Sequence, residues 1–207
     1  MGTPTHTVSY AAGPNWIAGQ PPEKQDLGEH FAYVERLFKS GMLLANGPTM
    51  DDFIGFYVYR TADAQEAASL VANDPAVKKG VLKLVDTATW EIMMDNLDAP
   101  VEGRKLYVVN YLPGPNWETG KAFQKQSKFE PTCGYLGAQF EQGQVLAAGP
   151  VSDERSRIII AAADDNAAKD FMSRDPGVAA GQFKVEVKPW QAFNRQPANK
   201  SLATAQN

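Results

Sequence analysis

The sequence predicts an α+β fold in which one βαββαβ unit is written twice in tandem, and three repeated motifs carry that prediction. Gly13-Pro14-Asn15-Trp16 returns as Gly114-Pro115-Asn116-Trp117. Leu44-Ala45-Asn46-Gly47-Pro48 returns as Leu146-Ala147-Ala148-Gly149-Pro150. Asn73-Asp74-Pro75-Ala76-Val77 with Gly80 returns as Arg174-Asp175-Pro176-Gly177-Val178 with Gly181. The offsets are 101, 102 and 101 residues. Three motifs in one order at nearly one offset mark a duplicated domain, since solenoid repeats have far shorter periods. The chain divides accordingly into 1–100, 101–193 and a tail over 194–207.

Each copy reads the same way. Thr7–Ala11 and Leu106–Leu112 are short strands rich in Val and Tyr, closed by Gly-Pro turn chemistry. A helix follows, ending near Ser40 in the first copy and Gln142 in the second. Its apolar positions Leu27, Phe31, Val34 and Phe38 keep the 3.6-residue period, matched by Phe129, Cys133, Leu136 and Phe140, with Gly41 and Gly143 as stops. A strand then runs to Gly-Pro, a turn carries Asp51 or Asp153, and further strands cover Phe53–Arg60 and Arg157–Ala162. Ala-rich helices occupy Ala64–Ala72 and Asn166–Ser173. The Asp-Pro pairs predict a helical turn with Asp74 or Asp175 as N-cap and proline at the first helical position. Leu82–Trp90 and Phe183–Trp190 are the last strands, which completes the ferredoxin-like order. A sheet with helices on one side leaves its other face bare, so the two copies should cover each other around a pseudo-twofold axis. Asp95–Arg104 links them, and the polar tail from Asn194 lacks apolar periodicity, which predicts disorder.

Composition narrows the function classes. Hydrophobic content of 43% and charged content of 21% are ordinary for a soluble globular protein. A net charge of −4 with no basic stripe argues against nucleic acid. No apolar run approaches the roughly 20 residues that span a bilayer, and no export signal opens the chain, so a cytoplasmic protein is expected. Met1-Gly2 followed by Thr is a weak myristoylation match interrupted by Pro4. One cysteine, Cys133, excludes an internal disulfide. No metal-ligand spacing, glycine-rich phosphate loop or Gly-x-Ser-x-Gly elbow is present, so no cofactor or metal is predicted.

What distinguishes the copies is His30, which sits in the first helix and has no histidine opposite it. The helical stripe aligns it with Thr132; without a gap the partner would be Pro131. An unperturbed imidazole titrates close to neutrality and moves protons in either direction. A carboxylate from the turn after the next strand, Asp51 rather than its neighbour Asp52 because Asp153 matches it, could bind one ring nitrogen and stabilise the imidazolium. Asn15, Trp16 and Trp117 in the Gly-Pro-Asn-Trp loops are candidate substrate contacts, by stacking and hydrogen bonding, set against a plain turn role. Tyr33 lies one turn from His30 and is a candidate pocket residue, although its match to Tyr135 speaks for packing. Asp74 and Asp175 read as helix caps, and Cys133 as a small buried hydrophobe.

Glu29-His30, Leu44-Ala45-Asn46-Gly47-Pro48 with Asp51, and the Asp-Pro endings together resemble the YCII-related domain family, a branch of the dimeric α/β-barrel superfamily. The second ending, Arg174–Gly181 through Val185-Glu186-Val187-Lys188-Pro189-Trp190, shows the pattern more fully. The resemblance covers nearly the whole chain except its first residues and the tail. It implies sheets paired into an intramolecular barrel and a His–Asp catalytic dyad, which falls on His30 and Asp51. It also implies small-molecule chemistry, since the family includes a dehydrochlorinase of a chlorinated hydroxyquinol and related barrels include muconolactone isomerase. The expected function is a cofactor-independent lyase, isomerase or cyclase on a small cyclic or phenolic molecule, as a monomeric pseudodimer or a homodimer. The alternatives are a non-catalytic small-molecule-binding or structural pseudodimer and, third, a haem protein with His30 as axial ligand.

Overall fold

Side chains along the strand Gly55–Arg60 alternate between two cores, and that alternation sets the architecture. Phe56 and Val58 point into a core between two sheets, while Tyr57 and Tyr59 point toward the helices. The counterpart strand Arg155–Ala162 repeats this, with Ile159 and Ala161 inside and Ile158 and Ile160 under the helices. The computed structural model describes residues 5–50, 55–152 and 154–198.

The first half runs β1 (Thr5–Ala12), α1 (Gly28–Lys39), β2 (Leu43–Pro48), β3 (Gly55–Arg60), α2 (Ala64–Asn73), the short α3 (Pro75–Lys78) and β4 (Leu82–Trp90). A two-residue strand, β5 (Met94–Asp95), leads into the second half. That half runs β6 (Lys105–Pro113), α4 (Phe129–Glu141), β7 (Val145–Ser152), β8 (Arg155–Ala162), α5 (Asp165–Ser173), α6 (Pro176–Ala179) and β9 (Phe183–Trp190), and β10 (Asn194–Arg195) follows. Two antiparallel five-stranded sheets result, ordered β10-β2-β3-β1-β4 and β5-β7-β8-β6-β9. The expected α+β fold of two ferredoxin-like halves in tandem, closed as a barrel, is what forms. No helix among the described residues is long and apolar enough to cross a membrane.

The strand order reveals an exchange of arms that alters the expected boundaries. β5 belongs by sequence to the end of the first copy, yet it pairs with β7 of the second sheet. β10 returns the exchange by pairing with β2 of the first sheet. The expectation of a structureless tail from Asn194 therefore fails over its first residues. Asn194 and Arg195 form strand, Gln196 donates to Leu44, and Ala198 is buried. Sheet-edge hydrogen bonds order this polar segment without any apolar period of its own.

The same exchange explains the repeated Gly-Pro. Sequence reads it as a turn, but Gly47-Pro48 and Gly149-Pro150 lie within β2 and β7. A Cβ on Gly47 would strike the backbone of Gln191, and one on Gly149 the backbone of Glu91. Each glycine is thus the slot through which the other copy's arm crosses. Trp190 Nε1 donates to the Gly47 carbonyl at 3.0 Å, and Trp90 Nε1 to that of Gly149 at 3.1 Å. Both indoles are buried, and truncating such a residue costs roughly 3–5 kcal/mol, so these two anchors clamp the halves together.

His6, on β1, sits 3% exposed with Nδ1 2.7 Å from Thr61 Oγ1. Burial lowers its pKa below the ordinary value, with Asp63 and Glu66 opposing the shift. The folded state therefore prefers the neutral ring. Its stabilisation is complete above the unfolded pKa of roughly 6.5 and is lost as pH falls through that value toward the lower folded one. Chemical denaturation at stepped pH should show stability declining below neutrality, and His6→Gln should flatten part of that decline. An unchanged slope would mean that the His6 ring is not held neutral.

Candidate functional site

Helix α1 buries Leu27, His30, Val34 and Leu37, so the inward stripe runs through the histidine. The sequence stripe through Phe31 is displaced by one position, and Phe31 is 49% exposed. The reason is polar: His30 finds partners for both ring nitrogens inside, which a phenyl ring cannot use.

Nδ1 of His30 lies 2.9 and 2.8 Å from the two carboxylate oxygens of Asp74. Nε2 lies 2.9 Å from the hydroxyl of Tyr57 on β3. All three side chains are buried. The chain Asp74–His30–Tyr57 has one consistent proton arrangement for a neutral ring. Nδ1–H donates to the carboxylate, and the tyrosine hydroxyl donates to Nε2. Burial raises the pKa of Tyr57 above its ordinary value and the Asp74 charge adds to this, against an Asn46 hydrogen bond, so the hydroxyl keeps its proton.

Asp74 holds this position for a local reason. It precedes Pro75 and caps α3, accepting from the Ala76 N–H at 2.9 Å. The cap expected from sequence is there, and its carboxylate simultaneously anchors the imidazole. Asp51 lies outside the described residues, so Asp74 is the carboxylate that these residues bring to His30.

A cavity of about 360 Å³ opens beside this chain. His30, Tyr57 and Tyr10 form its inner wall, with Leu27 and Leu82 beside them. Trp16, Phe31, Met50 and Phe193 line it as well, the last three well exposed. Phe193 comes from the second copy's arm, so the pocket is completed by the exchange. The Tyr10 ring meets Tyr57 edge-on at 5.0 Å, and its hydroxyl is buried. Trp16 thus lines the cavity. Asn15 does not: its side chain donates to the Lys79 carbonyl and latches the loop to the Gly80 turn, as Asn116 does at Ala180. Tyr33 also turns away, donating to the Leu70 carbonyl at 2.9 Å and matching Tyr135 at Phe171.

The second copy carries the same frame with different side chains at these positions. Thr132 takes the place of His30, donating to Asp175 at 2.8 Å, as the helical alignment predicts. Ile158 stands at the position of Tyr57 and Ala148 at that of Asn46, by the matched strand registers. Tyr111, the counterpart of Tyr10, donates to Asp175 at 3.0 Å. Phe183 replaces Leu82 and stacks on Phe123 at 4.5 Å. Gly177 replaces Ala76, and a Cβ there would strike the Phe183 ring and Thr132. The two changes are coupled, since the larger ring needs the missing methyl. Trp117 packs near Phe123 and Phe183 as part of that core. A cavity of about 300 Å³ remains, lined by Thr132, Cys133, Phe129 and Met93 among others; among its described residues it holds no histidine, and the exposed Glu91 is its carboxylate.

Comparison with known proteins fits this duplicated frame. The model of the YCII-related domain matches residues 12–91 and again 118–191. The chain belongs to the YCII-related domain family. Among curated proteins none matches in sequence. Solved structures share the fold of this YCII-related chain at low identity. A monooxygenase-like protein from Fusobacterium nucleatum matches with a TM-score of 0.60 and 10% identity, over 97% of this chain and 99% of that one. A chlorite dismutase variant from Candidatus Nitrospira defluvii gives 0.58 and 10%, over 100% and 97%. A haem-binding protein from Thermus thermophilus gives 0.53 and 14%, over 91% of each. These similarities establish the dimeric α/β-barrel fold that two YCII-related domains build here within one chain.

Of the residues that carry the site, sequence singles out His30 and Trp16. Tyr57, Tyr10 and Asn46 do not stand out as site residues within their own strands, and Asp74 reads only as a cap. One signal for two of them lay in the repeats. Asn46 against Ala148 and Tyr57 against Ile158 are polar-to-apolar differences between matched strand positions, like His30 against Thr132.

Proposed function

We propose that the first pocket is the active site of a cofactor-independent acid–base enzyme that moves a proton on a small cyclic or phenolic molecule. The observation that carries this is the buried chain Asp74–His30–Tyr57 ending on a cavity with aromatic and apolar walls. A substrate hydroxyl or acidic C–H placed against Tyr57 gives its proton to the phenolic oxygen. The tyrosine proton passes to Nε2, and the imidazolium so formed is held against the Asp74 carboxylate. Substrate and His30 exchange one proton net; in an isomerisation the reverse path returns it to another atom of the substrate, and in an elimination the C–H electron pair forms the new double bond, the leaving group departs with its own bonding pair, and the proton is released to solvent. Trp16 and Phe31 offer faces for a flat ring, and Glu23, the carboxylate among the described lining residues, favours a neutral molecule over an anion.

The test is exchange of substrate hydrogen with solvent. A panel of hydroxyquinols, phenols and enol lactones is incubated with the full chain in deuterium oxide and followed by mass spectrometry and NMR. At least one compound should gain deuterium or turn over with wild type and not with His30→Asn. Equal exchange by both proteins would remove His30 from the chemistry.

The haem reading draws support from the haem-binding neighbour, but the residues present do not fit an axial role. Both nitrogens of His30 are engaged, and His6 is 3% exposed and does not line the histidine pocket. Ligation through His30 would need Tyr57 to leave. Haemin added to the protein should therefore produce no shifted Soret band.

A further inference from the structure

The histidine pocket stays apolar all the way out to its rim. Phe31 on α1, Met50 just after β2 and Phe193 on the exchanged arm line the cavity, yet they remain 49%, 45% and 53% exposed. Three separate segments of the chain thus bring large apolar groups to one opening. Phe31 also touches the imidazole, its ring centre lying 5.5 Å from that of His30, so an apolar path joins the proton-relay chain to the surface. Exposed apolar residues scattered singly are ordinary, whereas several gathered at the mouth of a cavity mark a binding surface.

The second copy is an internal control for what the fold itself requires there. Cys133 stands at the place of Phe31, one residue past Thr132 as Phe31 is one past His30. Ser152 stands at the place of Met50, two residues past the matched Gly-Pro, and Met93 at that of Phe193, by the matched arm pairings. Only the arm position keeps a large apolar residue in both halves. The scaffold therefore does not demand Phe31 and Met50 for its own stability, and the apolar rim belongs to the pocket that holds the histidine. Size points the same way. An apolar cavity of roughly 150 Å³ takes one benzene ring, so a single ring leaves more than half of the 360 Å³ here unfilled. Glu23 is the charged side chain beside His30 among the described lining residues, and no lysine or arginine is among them, so the remaining space suits a neutral group.

We propose that the substrate of the first pocket is a ring bearing a short neutral apolar tail, with the ring against Tyr57 and the tail lying across Phe31, Met50 and Phe193. The inference rests on the proton-transfer reading for the inner end alone; the tail is argued from the mouth. The full chain is titrated with phenol and with 4-butylphenol, and the ¹⁵N signals of its two histidines locate the site. The His30 signals should move and those of His6 should not. Each buried methylene is worth about two- to fourfold in affinity, so 4-butylphenol should bind at least about tenfold tighter than phenol. A polar tail of equal length, in 4-(2-hydroxyethoxy)phenol, should gain less than about threefold. In the double variant Met50→Ser/Phe193→Ser the butylphenol-to-phenol ratio should also fall below about threefold. Both side chains are exposed, so the fold survives their loss, and the ratio cancels whatever the ring alone contributes. Equal affinity along the series, an unmoved His30 signal, or an unchanged ratio in the double variant would each overturn the proposal. So would self-association of the wild-type chain in sedimentation velocity that the double variant abolishes, since the rim would then be a contact between copies. Failure of the proton-transfer reading looks different: no compound exchanges hydrogen with solvent, while the affinity ratio and its loss in the double variant stand.

Discussion

Asp74→Ala should cost the first half about 1.5–5 kcal/mol, a large part of the roughly 5–15 kcal/mol that holds an ordinary domain together. The carboxylate is fully buried and serves two groups at once. It takes Nδ1–H of His30 and the N–H of Ala76 at the start of α3. Leaving a buried donor unpaired costs about 1–3 kcal/mol, and losing an N-cap about 0.5–2 kcal/mol. Those terms add to the expected figure without any further contact. Asp74→Asn separates them from the charge. Asparagine caps a helix nearly as well and its oxygen still accepts from the ring, so stability should fall by only about 1 kcal/mol. What Asn removes is the negative charge that holds an imidazolium. Asp74→Asn should therefore fold and yet lose activity, while the corresponding Asp175→Asn should lose at least as much stability, since its buried carboxylate accepts four hydrogen bonds, and keep activity. Urea unfolding of the full chain gives the stabilities. A loss near zero for Asp74→Ala would mean that the carboxylate anchors neither group.

The fold was legible because duplication makes each pattern appear twice. Motifs such as Asp-Pro with its following glycine recur at a fixed offset, and a recurring motif is far less ambiguous than a single one. Two things remained out of reach. The arm exchange is one, because β5 and β10 are two-residue strands whose order comes from backbone pairing with the other half. No side-chain period announces such a segment, although the glycine repeated at each crossing is its trace. The partner of His30 is the other. Asp74 is 44 residues from His30 and already has a sufficient local explanation as a cap. A residue that fully satisfies a local role gives no sign in sequence of a second, tertiary one. Tyr57 was hidden differently, since a tyrosine in a strand is expected from β propensity alone. The contrast with Ile158 separates it from an ordinary strand residue.

His30→Asn should lower turnover by about 10²–10⁴, equivalent to roughly 3–5.5 kcal/mol in the barrier, with the fold intact. Tyr57→Phe then tells which atom meets the substrate. In the proposed relay the phenolic oxygen is the contact and Nε2 the proton store, so the phenylalanine variant should lose nearly as much activity as His30→Asn. Direct attack by Nε2 predicts the reverse, because removing the hydroxyl uncovers the nitrogen and activity should hold or rise. The ring itself supplies a control that does not depend on knowing the substrate. With the Asp74 bond intact, the Nδ1–H tautomer should persist in Tyr57→Phe, visible in the ¹⁵N spectrum of labelled histidine, and it should be lost in Asp74→Ala. Thr132 shows what the frame does without an imidazole: its hydroxyl is satisfied by Asp175, and the described lining of the second cavity offers the exposed Glu91 carboxylate but no histidine. Introducing histidine there would not restore chemistry by itself. Ile158 offers no hydroxyl to Nε2, and Phe183 fills the space that Leu82 leaves open in the first copy. In the proposed mechanism activity depends on a set of differences between the halves, His30, Tyr57 and Leu82 together, and a Thr132→His variant should gain no activity in the second pocket.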